Sequence, residues 1–263
     1  MSSHLLETLL IRLLLDAEHQ RPHMMAKLSL LVDIEQTYFN VLVVETRGES
    51  HPKIGDDLRA EFGDSIVLEL GSRIALLEPS ALNFSKISPE YLEKLERILE
   101  SHGAVAATSG NARELGAIDV PFAIACHILA ASSRTSRLKP KRIYTQDEHG
   151  IYYIFSLLQD QFVERFGRED PLALLHPGVV TLLRYDREHR TDLSETLFLF
   201  LANDRNLKVT ATRMFTHRNT IYNKMKKIRE IIGSDLDDSK IRFNLQFSHL
   251  LLSYLEEIRH AKI

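Results

Sequence analysis

Residues 207–232 read LKVTATRMFTHRNTIYNKMKKIREII, and the pattern of this stretch decides the character of the C-terminal part of the chain. A short helix is expected over about 209–215 and a tight break at Thr216-His217. A longer helix follows over about 218–232 and stops at Gly233, a residue suited to the left-handed position after a helix. Ile221, Met225, Ile228 and Ile232 recur at steps of four, three and four, which gives the longer helix one apolar stripe. Ala211 is small enough to let the two helices approach closely. A short helix, a turn and a longer basic helix form a helix-turn-helix. With Ile221 at zero and about 100° per residue, Tyr222 lies at about 100°, Lys226 at about 140°, Asn219 at about 160°, Asn223 at about 200° and Lys227 at about 240°. Amide and ammonium groups therefore face away from the stripe. Asparagine can form two hydrogen bonds with an adenine edge, and lysine can bond guanine or phosphate. The helix N-terminus adds free N–H groups for a phosphate.

Charge reinforces that reading. The whole chain has 33 basic and 36 acidic residues, a net of −3. Between Arg205 and Arg229 stand Arg205, Lys208, Arg213, Arg218, Lys224, Lys226, Lys227 and Arg229, with no acid among them. The remaining 238 residues hold 25 basic and 36 acidic side chains. A solvated helix face usually mixes signs, and this one does not; it is a local electrostatic footprint. Arg218, Asn219 and Asn223 are the candidates for base or backbone contact. Lys208, Arg213, Lys224, Lys226 and Lys227 are candidates for phosphates or for solvated charges. His217 is placed either to cap the longer helix or to touch a phosphate. Tyr222 would reach a phosphate or cover the core edge.

Outward from this motif, the segment 191–263 is all helical, with an apolar helix from Leu193 to Leu201 and a closing helix over about 240–258. Residues 147–190 are expected as a helical connector broken at His176-Pro177-Gly178. Residues 37–146 alternate strand and helix. Aromatic and β-branched residues mark 38–44 as a strand. Strands over 65–70 and 73–77 flank Gly71-Ser72, a glycine-first loop that suits a type II′ hairpin. Ser88-Pro89-Glu90 starts a helix with a cap serine and a proline in its first position. Further helices at 54–62 and 120–132 and strands at 103–108 and 141–145 give the order β-α-β-β-α-β-α-β, an α/β sandwich on a mixed sheet. Residues 1–36 form two helical stretches broken near Arg21-Pro22. The fold class is mixed α+β: N-terminal helices, an α/β sandwich and an all-α helix-turn-helix domain.

The motif string resembles the C-terminal helix-turn-helix of the purine-catabolism-regulator/carbohydrate-diacid-regulator (PucR/CdaR) family of bacterial transcription factors. Thr210-Ala211 followed by His217-Arg218-Asn219-Thr220 carries the likeness, supported upstream by residues 182–189, 191–193 and 195–197 and downstream by 233–236, Asp237-Asp238, Arg242 and Leu245. The chain departs from the family at Thr216, where Val or Ile is usual, at Asn223 for Tyr and at Lys224 for Arg. The resemblance implies a regulator whose partner is double-stranded DNA, bound as a homodimer on a pseudo-palindromic site, with a small-molecule effector of unidentified kind. Members are linked to purine, sugar-acid and secondary-metabolite genes, polyketide synthase expression among them. Residues 37–146 look like the degenerate cyclase-like (GGDEF-type) domain that often precedes this motif. A working cyclase carries acids on its central hairpin for metal and catalysis, whereas this chain has Leu70-Gly71-Ser72-Arg73-Ile74 there. The resemblance thus implies a non-catalytic domain. The other reading of that domain is a non-catalytic nucleotide-binding sensor or a residual cyclase-like enzyme, and a third reading of the basic helix is contact with an acidic protein.

Composition excludes other classes. With 263 residues, 44% hydrophobic and 26% charged, the chain is neither fibrous nor disordered. The leucine-rich stretch 5–15 is 11 residues long and is interrupted by Glu7 and Arg12, well short of the roughly 20 needed to span a bilayer, so no membrane partner is expected. One cysteine, Cys126, and no secretory signal point to the cytoplasm; Cys126 reads as a core residue. No enzyme activity, cofactor or metal is expected. His19 and His23 are separated by Pro22, no HExxH, P-loop or dinucleotide-binding glycine pattern occurs, and adjacent residues in Asp147-Glu148-His149 cannot face one another as a triad. The same leucine stretch presents two apolar faces. One is expected to pack on its own domain, and the other either pairs two copies or is covered within one.

Overall fold

The computed structural model describes residues 2–15, 38–46, 51–80, 87–113, 115–132, 141–167 and 171–257. The chain forms two compact units, Met1–Ile154 and Phe155–Ile263, so the segment 147–190 is divided between them.

In the first unit the elements run α1 (Ser2–Leu15), β1 (Tyr38–Glu45), α2 (His51–Glu61), β2 (Ile66–Leu70), β3 (Arg73–Ser80), α3 (Pro89–Ser101), β4 (Val105–Ala112), α4 (Asp119–Ser132), β5 (Ile143–Thr145) and the short α5 (Gln146–His149). Strand and helix follow one another in the order expected from the sequence. The sheet order is β2-β3-β1-β4-β5. Its first four strands are antiparallel and β5 runs parallel to β4, so the sheet is mixed. The β1-α2-β2-β3-α3-β4 portion is a split βαβ arrangement.

Helices cover both faces of the sheet, which explains why Val41, Leu42, Val43 and Val44 of the central strand β1 are apolar in succession. Leu42 and Val44 pack with Ile54 and Leu58 of α2 and Leu95 and Leu99 of α3. On the opposite face Val41 meets Leu9, Leu10 and Leu13 of α1, and Val43 meets Ala125, Ile128 and Leu129 of α4. Gly71 has a φ of +66° and Ser72 stays at negative φ, the sign pattern of the expected hairpin. Ser88 Oγ accepts the Tyr91 N–H at 3.1 Å and Pro89 opens α3.

Two expectations change, for β4 and Cys126, and the packing of α1 bears on the alternative left open for its second face. Strand β4, expected to end at 108, continues to Ala112, because Ser109 and Gly110 together lie opposite Val41 between the pairs Leu42–Thr108 and Asn40–Asn111. This bulge absorbs a Ser-Gly-Asn stretch that resembles a turn. The second face of α1 is not left bare: Leu6, Ile11 and Leu14 pack partly against the same cluster as Leu9, Leu10 and Leu13, while Leu5 and Leu15 are exposed. Cys126 is half-buried at the edge of the α4 cluster, beside Arg73. Burial pushes its thiol up, against the opposing pull of Arg73. The second N-terminal stretch, with its break near Arg21-Pro22, lies outside the described residues.

The unit boundary falls within α6 (Ile151–Phe166), which is followed by α7 (Pro177–His189), α8 (Leu193–Ala202), α9 (Leu207–Arg213), α10 (Arg218–Ile232) and α11 (Ser239–Glu257). Their core includes Val179, Leu182, Leu197, Leu201, Ile221, Ile228 and Leu245. Each joint from α7 to α10 contains a non-glycine residue in the left-handed region: Arg190 at φ 53°, Asp204 and Arg205 at 51° and 63°, and Phe215 at 50°. Among the described residues no helix is long and apolar enough to cross a membrane.

Candidate nucleic-acid interface

The helix-turn-helix is assembled on α8, whose first turn would be expected to take its cap from Asp192, the residue just before it. Instead Asp186, from the end of α7, supplies the acceptors. Asp186 Oδ1 accepts the Leu193 N–H at 2.8 Å and the Thr191 hydroxyl, and Oδ2 accepts the Ser194 N–H at 2.8 Å and its hydroxyl at 2.6 Å. Partial burial alone would raise this carboxyl's pKa. The hydrogen bonds from Ser194, Thr191 and Leu193 outweigh that and hold it below the usual carboxylate range. Asp192 makes no side-chain cap bond. Its carboxylate takes Lys224 of α10, with Nζ at 2.6 and 2.7 Å from its two oxygens.

At the start of α9, Asn206 Oδ1 accepts the N–H groups of Lys208 and Val209 at 3.0 and 3.1 Å. Thr210 and Ala211 are buried where α9 meets its neighbours, and the Thr216 N–H donates to the Ala211 carbonyl at 2.9 Å to close the turn. His217 then caps α10: its Nδ1 accepts the Asn219 N–H at 3.2 Å. The Thr220 N–H also turns back to the His217 carbonyl, at 3.0 Å. Two of the first-turn amides expected to await a phosphate are therefore already satisfied within the chain.

The stripe is where the spacing puts it, with Ile221, Met225, Ile228 and Ile232 buried. Arg218, Asn219, Tyr222, Asn223, Lys226 and Lys227 are exposed, as are Lys208 and Arg213 of α9. Tyr222 is 58% exposed and so does not seal the core edge. Lys227 lies over the Tyr185 ring at 5.7 Å and within 3.7 Å of Glu230, and Arg205 pairs with Asp237 at 2.8 Å. Among the described residues, Lys208, Arg213, Arg218, Lys226 and Arg229 make no ion pair. The ten candidates thus divide three ways: eight line the exposed side of α9 and α10, His217 forms the joint between them, and Lys224 turns inward. Lys224 lies at about 300° on the helical wheel, only about 60° from the stripe, which is the sign in the sequence that it does not share the outer face.

Three residues with structural parts in this site were not singled out by the sequence. Asp186 and Asp192 act across helices and leave no local signature. Phe215 reads from the sequence only as the end of the short helix, yet it is 98% exposed in the turn at positive φ.

Comparison with known proteins places this geometry. Residues 193–251 match the family described as the PucR C-terminal helix-turn-helix domain. The proline-responsive transcriptional activator PutR of Bacillus subtilis (strain 168) is 32% identical over 111 residues, covering 41% of this chain and 25% of that one. The transcriptional activator PmfR of Paenarthrobacter nicotinovorans is 47% identical over 49 residues, 19% of this chain and 10% of that one. The chain thus spans a quarter or less of the length of the curated relatives it matches. A crystal structure of a regulator of polyketide synthase expression from Bifidobacterium adolescentis aligns over 95% of this chain and 90% of that one, at 17% identity and a TM-score of 0.40, a likeness too distant to transfer anything. The C-terminal unit carries a PucR-type helix-turn-helix domain.

Proposed function

We propose that this chain, whose C-terminal unit carries a PucR-type helix-turn-helix, is a DNA-binding transcriptional regulator with α10 as its recognition helix. One observation supports the reading above the others: α10 buries its whole apolar stripe and presents Arg218, Asn219, Tyr222, Asn223 and Lys226 together on its exposed side. Arg218, Asn219 and Asn223 are assigned to base edges, and Lys208, Arg213, Tyr222, Lys226 and Lys227 to the phosphate backbone. His217 sets the start of the recognition helix, and Lys224 anchors it through Asp192. That the relatives are named as transcriptional activators fits this assignment.

A single helix-turn-helix covers a modest surface on DNA, so two copies on a pseudo-palindromic site are proposed to supply the affinity. The first unit, with its cyclase-like element order, would control or pair the two copies. Its hairpin has Ser72 and Arg73 where a cyclase needs acids, and Arg73 is engaged by Glu45 at 3.1 Å, so no catalytic step is assigned to it.

Fluorescence anisotropy with genomic fragments at two salt concentrations tests the reading. Affinity is expected to fall steeply with salt as phosphate contacts release counterions. Asn219→Ala should cost about 1–3 kcal/mol on the preferred sequence and little on random DNA, while Lys226→Ala should weaken both alike. Folded protein that binds no fragment at low salt would sink the proposal. A uniform loss from both substitutions would overturn the assignment of the outer face.

A further inference from the structure

Two hydrogen bonds close the turn between α9 and α10. The Phe215 N–H donates to the Thr212 carbonyl at 3.2 Å, and the Thr216 N–H donates to the Ala211 carbonyl at 2.9 Å. This pair is a Schellman motif, with Phe215 at its left-handed position, φ 50°. Glycine is the usual residue there, because a bulky side chain at positive φ is strained. The same domain follows that rule at the end of α10, where Gly233 takes φ 61°. Among the described residues, the other side chains carried at positive φ, those of Arg190, Asp204 and Arg205, are polar.

Phe215 departs from the rule for burial as well. It is 98% exposed, whereas the other exposed large apolar residues among the described ones lie between 39% and 66%. A phenyl ring held in water on a strained backbone serves neither the core nor the turn, which glycine would close without strain. Backbone strain of this kind collects at binding sites.

The surroundings of the ring narrow its occupant. Arg213 on one side and His217, Arg218 and Asn219 on the other are exposed, and residues 205–229 contain no acid. Such a surface attracts an anionic partner, and the ring asks that partner for an apolar group. In a DNA major groove the apolar group on the base edges is the C5 methyl of thymine, which phenylalanine can contact. A recognition helix reads bases with its N-terminal residues, and Phe215 stands immediately ahead of them in the turn.

We propose that Phe215 is a specificity residue whose ring packs on a thymine methyl beside the bases assigned to Arg218 and Asn219. The inference rests on α10 being the recognition helix, and it adds one apolar contact to the polar ones already assigned.

Selection of binding sites from a random duplex pool, by the full chain and by Phe215→Ala, tests it. The parent should select sites with a fixed thymine that the variant's sites lack. Deoxyuridine in place of that thymine removes the methyl and keeps every hydrogen-bonding group. It should weaken the parent about fourfold, the loss expected for one methyl group no longer taken out of water, and leave the variant unaffected. Phe215→Leu, which keeps an apolar side chain, should retain most of the preference for thymine. Urea melts of parent and Phe215→Ala should coincide; a destabilised variant would show that the ring packs within the chain and would overturn the proposal. A folded parent that selects no sequence overturns the recognition-helix reading and this assignment together. The assignment alone is overturned if the selected site has no fixed thymine, if the parent binds thymine and deoxyuridine duplexes alike, or if Phe215→Ala still tells them apart; the ring would then be left to a protein partner.

Discussion

His176 and His217 open their helices in the same way, each accepting through Nδ1 the amide proton of the residue two places on, at 3.0 and 3.2 Å. Their surroundings differ. The His176 N–H is held by the buried Ser248 hydroxyl at 2.8 Å. Two residues later Gly178 is so close to α10 that a Cβ on it would lie 2.3 Å from Ile232 Cγ2. His217 is exposed, and the residues that follow it, Arg218 and Asn219, are exposed too. One cap is built into a packed junction that holds the far end of α10, and the other leaves its near end exposed. A capping bond by itself therefore says nothing of role; what lies behind it decides.

Filling the packed side should have the largest effect. Gly178→Ala is expected to destabilise the C-terminal unit by about 3 kcal/mol, because Ile232 and α10 must move to accept a methyl group. Urea melts would measure this, and a variant as stable as the parent would show that the two ends of α10 are held alike. Asp186 comes next. Asp186→Ala removes four acceptor contacts from the start of α8 and should cost about 2 kcal/mol at neutral pH. The folded carboxyl is held below its ordinary value. Its contribution is therefore complete above the unfolded value of about 4 and is lost as the pH falls through the folded one. The gap between parent and Asp186→Asn should accordingly narrow in melts performed below about pH 4. A gap that widened on acidification would contradict the hydrogen-bonded carboxylate. His217→Ala should show the smallest change, about 1 kcal/mol of cap stability, with DNA affinity reduced alongside. His217→Asn, which can accept the same amide, should restore most of both. If it restored stability but not affinity, the imidazole itself would touch DNA.

The same contrast explains what the sequence made legible. The bounds of α10, its buried stripe and the joint at His217 follow from residues three or four apart, because a helix repeats locally and charge along it is read in one dimension. Cross-helix partners do not repeat. Lys224 and Asp192 are 32 positions apart, and the cap of α8 comes from Asp186 in the preceding helix rather than from the residue at the cap position. In the first unit the succession of strands and helices along the chain is legible from hydrophobic runs and turn residues, while the order of strands in the sheet is not. The β4 bulge was hidden behind a Ser-Gly-Asn stretch that local rules read as an ending. Beside it Asn111 donates to Asn40, 71 positions away, and Asn40 donates in turn to Glu78. No window of sequence contains that chain of bonds.

The left-handed residues at the joints of the helix-turn-helix have a consequence for stiffness. Arg190, Asp204, Arg205 and Phe215 each hold a backbone conformation that costs a side chain about 1 kcal/mol and glycine almost nothing. Glycine in their place would relieve that strain, but it would also give the unfolded chain more freedom to lose, by a similar amount. The two effects nearly cancel in the melting free energy and not in the breadth of angles each joint can sample. A domain with glycine joints would melt at much the same temperature and hold its helices over a wider range of crossing angles. By using side-chained residues at these corners, the chain trades no net stability for a narrower distribution of α10 orientations.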